Sequence, residues 1–213
     1  MHVLVTAGPT HEALDPVRFL GNHSTGKMGY ALAEAWAEVG ATVTLVSGPT
    51  ALPDPLHPSI RTIRVASGRE MLAACQTVAA TADVWVFAAA VADYRPAEVS
   101  LTKIKKAGEH LTLELVKNVD VAATLGATKR AGQLSVGFAL ETNDELAHAR
   151  GKLTSKNFDL VVLNSLADPG AGFAHDTNQV TLVDADGATP LPLQRKTAVA
   201  RQIVAAIRAR RNG

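Results

Sequence analysis

Short apolar runs separated by amphipathic stretches dominate most of the chain. Val3-Leu4-Val5 closes at Gly8-Pro9, Thr42-Val43-Thr44-Leu45-Val46 closes at Ser47-Gly48-Pro49, Ile63-Arg64-Val65 follows, and Val84 to Ala88 is apolar throughout. Runs this short without polar alternation predict strands buried on both faces. Between them, Met28, Leu32, Trp36 and Val39 recur at helical spacing over 26–39, and Gly40 is the stop signal. Ser67, with Glu70 three residues on, predicts a capped helix to about Thr81. Asp120 to about Thr128 reads as a short helix. Leu134 to Ala139 and Leu160 to Leu163 return to the strand pattern. Between them lies a helix capped by Asn143 or Asp144 that runs to about Leu153. A hairpin strand and turn follow over 179–187, and a final helix over 194–211 carries Val199, Ile203 and Ile207 as its apolar stripe. Strand and helix in alternation predict an α/β protein with a three-layer, Rossmann-like, doubly wound and mostly parallel sheet.

Three stretches break this rhythm. Thr6 to Thr25 is too long for a strand-to-helix connection, which is typically about 2–6 residues. The proline-rich stretch 50–58 reads as irregular surface chain. Residues 93–118 show no helical pattern; Leu111-Thr112-Leu113-Glu114-Leu115 alternates like a half-exposed strand, and with residues near 100–106 it predicts a hairpin-like excursion. The expected organisation is one domain over 1–213 with a β-arm at about 95–117, suited to covering a site or pairing with a second subunit.

Composition narrows the function classes. The chain has 213 residues, a net charge of +1 and a single cysteine, so neither general nucleic-acid binding nor a disulfide framework is expected. Cys75 falls on one helical face with Met71, Leu72, Val78 and Ala79 and reads as core. No apolar run approaches the roughly 20 residues of a membrane span, and the first residues enter a strand directly, so the expected compartment is the cytoplasm.

The candidate chemistry gathers beyond the fourth strand. Ala88-Ala89-Ala90-Val91-Ala92 offers side chains small enough for a ligand to lie on the backbone, and Asp93, Tyr94, Arg95 and the Lys103-Ile104-Lys105-Lys106 run follow. In an open α/β sheet, ligands bind beyond the carboxyl ends of the strands at a switch point in strand order, so this stretch reads as the floor of a nucleotide site. Asp93 is placed to hold a ribose or base, to hold magnesium, or to cap a turn. Gly21-Asn22-His23-Ser24-Thr25-Gly26-Lys27 has P-loop spacing up to its lysine, but Met28 stands where a magnesium-binding Ser or Thr is required. What remains is a donor-rich loop running into a helix N-terminus, which favours anions. Lys152 and Lys156 are one helical turn apart and share a face that reaches phosphates or solvent. The Gly8-Pro9-Thr10 turn lacks the dinucleotide fingerprint, and Tyr94 has no lysine at the spacing a short-chain oxidoreductase needs. The histidines show no metal-ligand spacing, and the metal ligands stay unknown. An NAD(P)-binding oxidoreductase and a non-catalytic nucleotide-binding protein stand as the alternatives.

In their order, Val5-Thr6-Ala7-Gly8-Pro9-Thr10, Asp15-Pro16-Val17-Arg18, Asn22-His23-Ser24-Thr25-Gly26-Lys27-Met28-Gly29, Ala89-Ala90-Val91-Ala92-Asp93-Tyr94, Lys103-Ile104-Lys105-Lys106, Leu115-Val116-Lys117-Asn118 and Val136-Gly137-Phe138-Ala139 resemble phosphopantothenate–cysteine ligase. That family is the synthetase half of the bacterial bifunctional coenzyme A biosynthesis protein, and the resemblance covers nearly the whole chain. The resemblance implies that 4′-phosphopantothenate is activated by CTP, with magnesium, to an acyl-cytidylate and then coupled to cysteine. It implies that Phe87, Ala88 and Ala89 present backbone to the nucleotide and that Asp93 contacts cytidine. Lys103 would hold the triphosphate, with Lys152 and Lys156 reaching the phosphates or base side. Val119, Asp120, Val121 and Ala122 would line the nucleotide, with Phe138 beside it. Asn22 would serve the acyl-cytidylate, with Arg18 as a candidate for the substrate phosphate. A homodimer is also implied, as is a decarboxylase partner, fused or separate. Val119 replaces the usual proline, Thr25 the common serine, and Gly21 is expected to loosen the loop before Asn22.

Overall fold

A computed structural model describes residues 1–106, 108–141, 144–165 and 175–212. In chain order the described elements are β1 (His2–Ala7), β2 (His11–Ala13), β3 (Phe19–Gly21), α1 (Lys27–Glu38), β4 (Thr42–Ser47), β5 (Ile60–Arg64), α2 (Gly68–Ala79), β6 (Val84–Phe87), β7 (Tyr94–Pro96) and β8 (Leu115–Lys117). They continue as α3 (Val121–Gly126), β9 (Leu134–Glu141), α4 (Glu145–Ser155), β10 (Leu160–Ser165), β11 (Thr177–Asn178), β12 (Val180–Val183), β13 (Ala188–Pro190), β14 (Gln194–Arg195) and α5 (Lys196–Asn212).

The main sheet has the order β13-β12-β10-β9-β6-β1-β4-β5. Its six strands from β10 to β5 are parallel, and β12 and β13 add an antiparallel edge. The chain winds outward from β1 through β4 to β5, then crosses back and winds the other way through β6, β9 and β10. The switch point therefore lies between β1 and β6, as the doubly wound expectation requires.

Strand alternation divides the core into two layers. Val3, Val5, Val43, Leu45, Val84 and Val86 face α1 and α5, where they meet Leu32, Trp36, Val199 and Ile203. Leu4, Val46, Trp85, Phe87 and Val161 face the other way, onto Met71 and Cys75 of α2, Leu125 of α3 and Ala149 of α4. Burying one such large apolar side chain contributes roughly 1.5–3 kcal/mol. Ser67 caps α2 by accepting the Glu70 N–H at 3.3 Å, while the Glu70 carboxylate reaches one residue further back than a capping box, to the Ala66 N–H at 2.8 Å. At the C-terminus, Arg210 pairs with Asp184 and Arg211 with Asp83, so the basic end of α5 is tied to the body rather than merely solvated.

The arm differs from expectation. Residues 111–114 form no strand, and residues 100–106 do not pair with them. The hairpin instead joins β7 to β8, with Tyr94 opposite Lys117 and Pro96 opposite Leu115. Leu111 and Leu113 are both exposed, and among the described residues no strand pairs with them. Residues 100–104 dock on the turn at 14–18: Ser100 N–H donates to the Leu14 carbonyl at 3.0 Å, and Ile104 N–H donates to the Asp15 carboxylate at 3.1 Å. The long segment after β1 is likewise not all loop, because it contains the β2–β3 hairpin. Asn143 and the greater part of the predicted 167–178 loop lie outside the described residues.

Candidate active site

Beyond the ends of β1 and β6 the two chains continue side by side. Ala88 N–H donates to the Thr6 carbonyl at 3.2 Å, Ala90 N–H to the Gly8 carbonyl at 2.9 Å, and Thr10 N–H returns to the Ala90 carbonyl at 3.2 Å. The Thr10 hydroxyl accepts from Ala92 N–H at 3.0 Å. This ladder turns the alanine run into a flat backbone shelf at the switch point. Asn22 lies over it, its amide donating to the Ala90 carbonyl at 3.1 Å. Gly21 does not loosen the approach. A Cβ there would lie 2.7 Å from the Thr10 carbonyl oxygen, so glycine lets β3 pack tightly against the shelf.

Two cavities use the shelf as a common wall. The first, about 380 Å³, is bounded by Phe87, Ala89 and Val91, by residues 117–122, by Phe138 and Phe158, and by Asp93 and Tyr94 at its rim. Lys152 and Lys156 reach it from the end of α4. The Phe87 and Phe158 rings lie 5.8 Å apart, and Phe158 fits only because residue 137 is glycine: a Cβ there would meet its ring at 2.1 Å. Asn118 shapes the rim by donating its amide to the Ala92 carbonyl at 2.9 Å and accepting the Val119 N–H at 2.9 Å. Asp120 caps α3 through the Ala123 N–H at 2.9 Å and pairs with Lys156 at 3.0 Å. Burial pushes the Asp120 carboxyl up, but the Ala123 and Ala122 N–H groups and the Lys156 charge outweigh it and hold it below its ordinary value.

The second cavity, about 540 Å³, shares Ala89, Val91, Phe138 and Lys152 with the first, so the two lie back to back. It contains Asn22, the residues at the start of α1, Ala88, Ala90, Asn164, Asn178 and Lys196. Unlike α2 and α3, α1 begins without a side-chain cap; its N-cap is Gly26 in the left-handed conformation at φ 80°. The start of α1 thus lines the cavity with no side-chain cap over its first N–H groups, an arrangement that favours an anion. Lys27 pairs with Asp176 at 2.6 Å, and Lys196 donates to the His175 carbonyl at 2.6 Å. Burial, then the Lys27 charge, hold the Lys196 ammonium below its ordinary value against the pull of Asp176.

Residues 1–210 match the DNA/pantothenate metabolism flavoprotein C-terminal domain. The chain belongs to this family. It is 47% identical over 204 residues to the coenzyme A biosynthesis bifunctional protein CoaBC of Vibrio cholerae, covering 95% of this chain and 51% of that protein. It is 47% identical over 209 residues to CoaBC of Bacillus subtilis, covering 98% of this chain and 51% of that protein. The chain thus spans about half the length of these curated relatives. Among solved structures, the C-terminal domain of CoaBC superposes with a TM-score of 0.82 at 44% identity, covering 97% of this chain and 93% of that one. A Cab2 variant in complex with phosphopantothenate-cysteine shares the fold, with a TM-score of 0.80 at 20% identity over 99% of this chain and 86% of that one.

Within this pantothenate-metabolism domain, most residues singled out from the sequence converge. Phe87, Ala89, Asp93, Val119, Asp120, Val121, Ala122, Phe138, Lys152 and Lys156 line the first cavity. Ala88 and Asn22 line the second. Lys103 lines neither, and Arg18 is turned to Asp15 and to the Ile104 carbonyl, which it reaches at 2.9 Å. Arg18 therefore anchors the segment that carries Lys103 rather than facing either cavity. Sequence reasoning missed Asn118, Asn164, Asn178 and Lys196 as site residues. Asn164 left a signal, a polar residue closing an otherwise apolar core strand; Asn178 left none, because it sits in a stretch read as loop.

Proposed function

We propose that the chain is a CTP-dependent phosphopantothenate–cysteine ligase of coenzyme A biosynthesis. The observation that carries this reading is the pair of back-to-back cavities on one alanine shelf, with Asn22 lying on that shelf inside the second. A two-step ligation needs this plan: a nucleotide in one compartment, an acid in the other, and their reacting atoms at the boundary. The 44% identity to the CoaBC C-terminal domain supports the assignment.

In the first step the substrate carboxylate attacks the α-phosphorus of CTP and pyrophosphate departs. In the second, the amine of cysteine attacks the acyl carbon, the amide bond forms, CMP leaves and the amine proton is released. The first cavity receives the nucleoside, with Lys152 and Lys156 drawing the phosphates to one side and the small shelf residues allowing the α-phosphate to approach the boundary. Asn22 serves the acyl group: an amide N–H placed there stabilises the oxyanion that develops in the second step. Magnesium, when bound, would supply positive charge to offset the triphosphate. Asp93, at the rim of the first cavity, would hold the ion, because the other carboxylate of that wall, Asp120, is taken by Lys156 and the α3 cap; no cluster of three or more His, Cys, Asp or Glu occurs among the described residues. Lys103 acts from the docked arm segment once that segment closes over the nucleotide.

The working unit is a homodimer in the cytoplasm, with a phosphopantothenoylcysteine decarboxylase fused or separate. Val17, Phe19, Val99, Leu101 and Leu111 are more than half exposed on the β2–β3 turn and the adjoining arm, an apolar surface that a second copy would cover.

The test is pyrophosphate release from protein, magnesium, 4′-phosphopantothenate and cysteine, with CTP and ATP offered separately. Release with CTP that requires phosphopantothenate is the expected result. Release with ATP alone overturns the nucleotide, and release with neither overturns the ligase.

A further inference from the structure

Buried polar atoms in folded proteins are nearly always hydrogen-bonded, and an orphan among them points to a partner from outside the chain. Two such orphans face the second cavity. The side-chain oxygens Oδ1 of Asn164 and Asn178 are buried and have no hydrogen-bond donor among the described residues. Asn178 is only 3% exposed. The two side chains come from neighbouring chain segments: Asn164, next to last in β10, pairs with Val180, and Asn178 lies two residues before Val180. Neither oxygen serves the sheet, whose ladder there is made by backbone groups. An unpaired buried acceptor destabilises a fold unless water or a ligand brings it a donor, and a ligand that fills the cavity would displace that water and must supply the donors itself.

The reaction offers a ligand with that chemistry. Between its phosphate and its carboxylate, 4′-phosphopantothenate carries one secondary hydroxyl and one secondary amide N–H, two donors for two acceptors. We propose that Asn164 and Asn178 form the specificity subsite for the polar middle of phosphopantothenate, accepting its hydroxyl and its amide N–H; this rests on the ligase reading of the two cavities. The consequence is selectivity. A site built to accept hydrogen bonds rejects an acid that lacks the matching donors far more strongly than an apolar pocket could, because its buried acceptors are then left unpaired. The aliphatic parts of the substrate meet Val91, Phe138 and Leu140, which line the same cavity, Leu140 beside Asn164 on the neighbouring strand.

The test uses Asn164→Leu and Asn178→Leu, which keep the size and remove the acceptor, with Asn178→Ala as a smaller second variant should the leucine not be accommodated. Steady-state kinetics for both substrates, calorimetric titration of phosphopantothenate and thermal midpoints of the free proteins are compared. The expected result is a phosphopantothenate KM raised roughly tenfold or more with the KM for CTP unchanged. The free protein should melt no earlier than wild type, since an orphan acceptor has been removed. A phosphopantothenate analogue with hydrogen in place of the secondary hydroxyl should bind wild type weakly and lose nothing further in the variant that removes the hydroxyl's acceptor. An unchanged phosphopantothenate KM overturns the proposal. So does a KM for CTP that rises in step, or an equal loss for substrate and analogue in both variants. The ligase reading fails separately, in the wild-type control: if wild type releases no pyrophosphate yet binds phosphopantothenate and the variants do not, the subsite stands without the reaction.

Discussion

The Lys156 ammonium lies 3.0 Å from the Asp120 carboxylate on the wall of the first cavity, so a cation suited to phosphates is held by an anion of the same wall. Asp120 has a second task, capping α3 through the Ala123 N–H. Asparagine caps a helix as well as aspartate does but carries no charge. Asp120→Asn should therefore leave the fold intact, free Lys156 and lower the KM for CTP about two- to fivefold at low ionic strength, in line with a partly exposed pair. Titration at two salt concentrations checks this; a raised KM would show that the carboxylate itself holds nucleotide or magnesium.

Asn22 touches the shelf through a single bond to the Ala90 carbonyl and otherwise faces the second cavity. Asn22→Asp keeps the shape, loses the N–H donor and adds a negative charge beside the developing oxyanion. Nucleotide affinity should stay within about twofold while product formation falls on the order of 10²-fold, the cost of one oxyanion donor. Calorimetry with CTP and quenched-flow assay of the amide product separate the two effects.

Asp15 gathers the turn at 14–18 and the arm at one point. Its carboxylate accepts from Val17 N–H at 2.8 Å, Arg18 N–H at 2.9 Å and Ile104 N–H at 3.1 Å, besides the Arg18 guanidinium. The Arg18 guanidinium foremost, with the backbone N–H groups and against burial, holds this carboxyl well below the usual carboxylate range. A depressed carboxyl contributes stability that is complete above its unfolded value near 4 and is lost only as pH falls toward its folded value. Protection of the Ile104 N–H from hydrogen exchange, relative to the unfolded chain, should thus hold from neutral pH down to about 4 and fall below it. Asp15→Asn should weaken that protection at every pH and raise the KM for CTP, since Lys103 rides on the same segment.

The parallel strands, the helices and the alanine shelf were legible because their signals are local: apolar runs of strand length, helical spacing, and small residues at a strand's end. The arm was misread because Leu111 and Leu113 alternate like a strand without a partner among the described residues, and alternation reports a face, not a neighbour. Lys103 and Arg18 were assigned to ligands, yet Arg18 is consumed by Asp15 three residues away, a pairing visible in the spacing but easily passed over. Asn178 was illegible for a different reason. Its meaning comes from lining the same cavity as Asn164 and Asn22, a relationship that only the antiparallel pairing of β10 with β12 creates.

Cys75 lies at 0% exposure under α2, and burial pushes its thiol up to about 12. Thiolate is the reactive form, so at pH 8 the native protein should not react with a maleimide over hours. In denaturant the same cysteine should label at once. As the chain has one cysteine, mass spectrometry reads the result directly; rapid native labelling would mean that α2 opens on the timescale of the assay.

Two helical glycines should respond to alanine with opposite signs. Gly29, in the first turn of α1, crosses β1 so closely that a Cβ would lie 2.5 Å from the Ala7 Cβ and 3.0 Å from its Cα. Those atoms belong to a buried central strand and cannot retreat, so Gly29→Ala should overpack the junction and destabilise by about 1–3 kcal/mol. The displaced α1 would also carry its uncapped N–H groups away from the second cavity, so the phosphopantothenate KM should rise. Gly151, within α4, has nothing within 4 Å of an added Cβ. There the helical preference of alanine acts alone, and Gly151→Ala should stabilise by roughly 0.5–1 kcal/mol with both KM values unchanged. Urea unfolding of the two variants tests the contrast. If both destabilise, α4 is packed against something that the single chain does not contain, and the second copy of the proposed dimer is the first place to look.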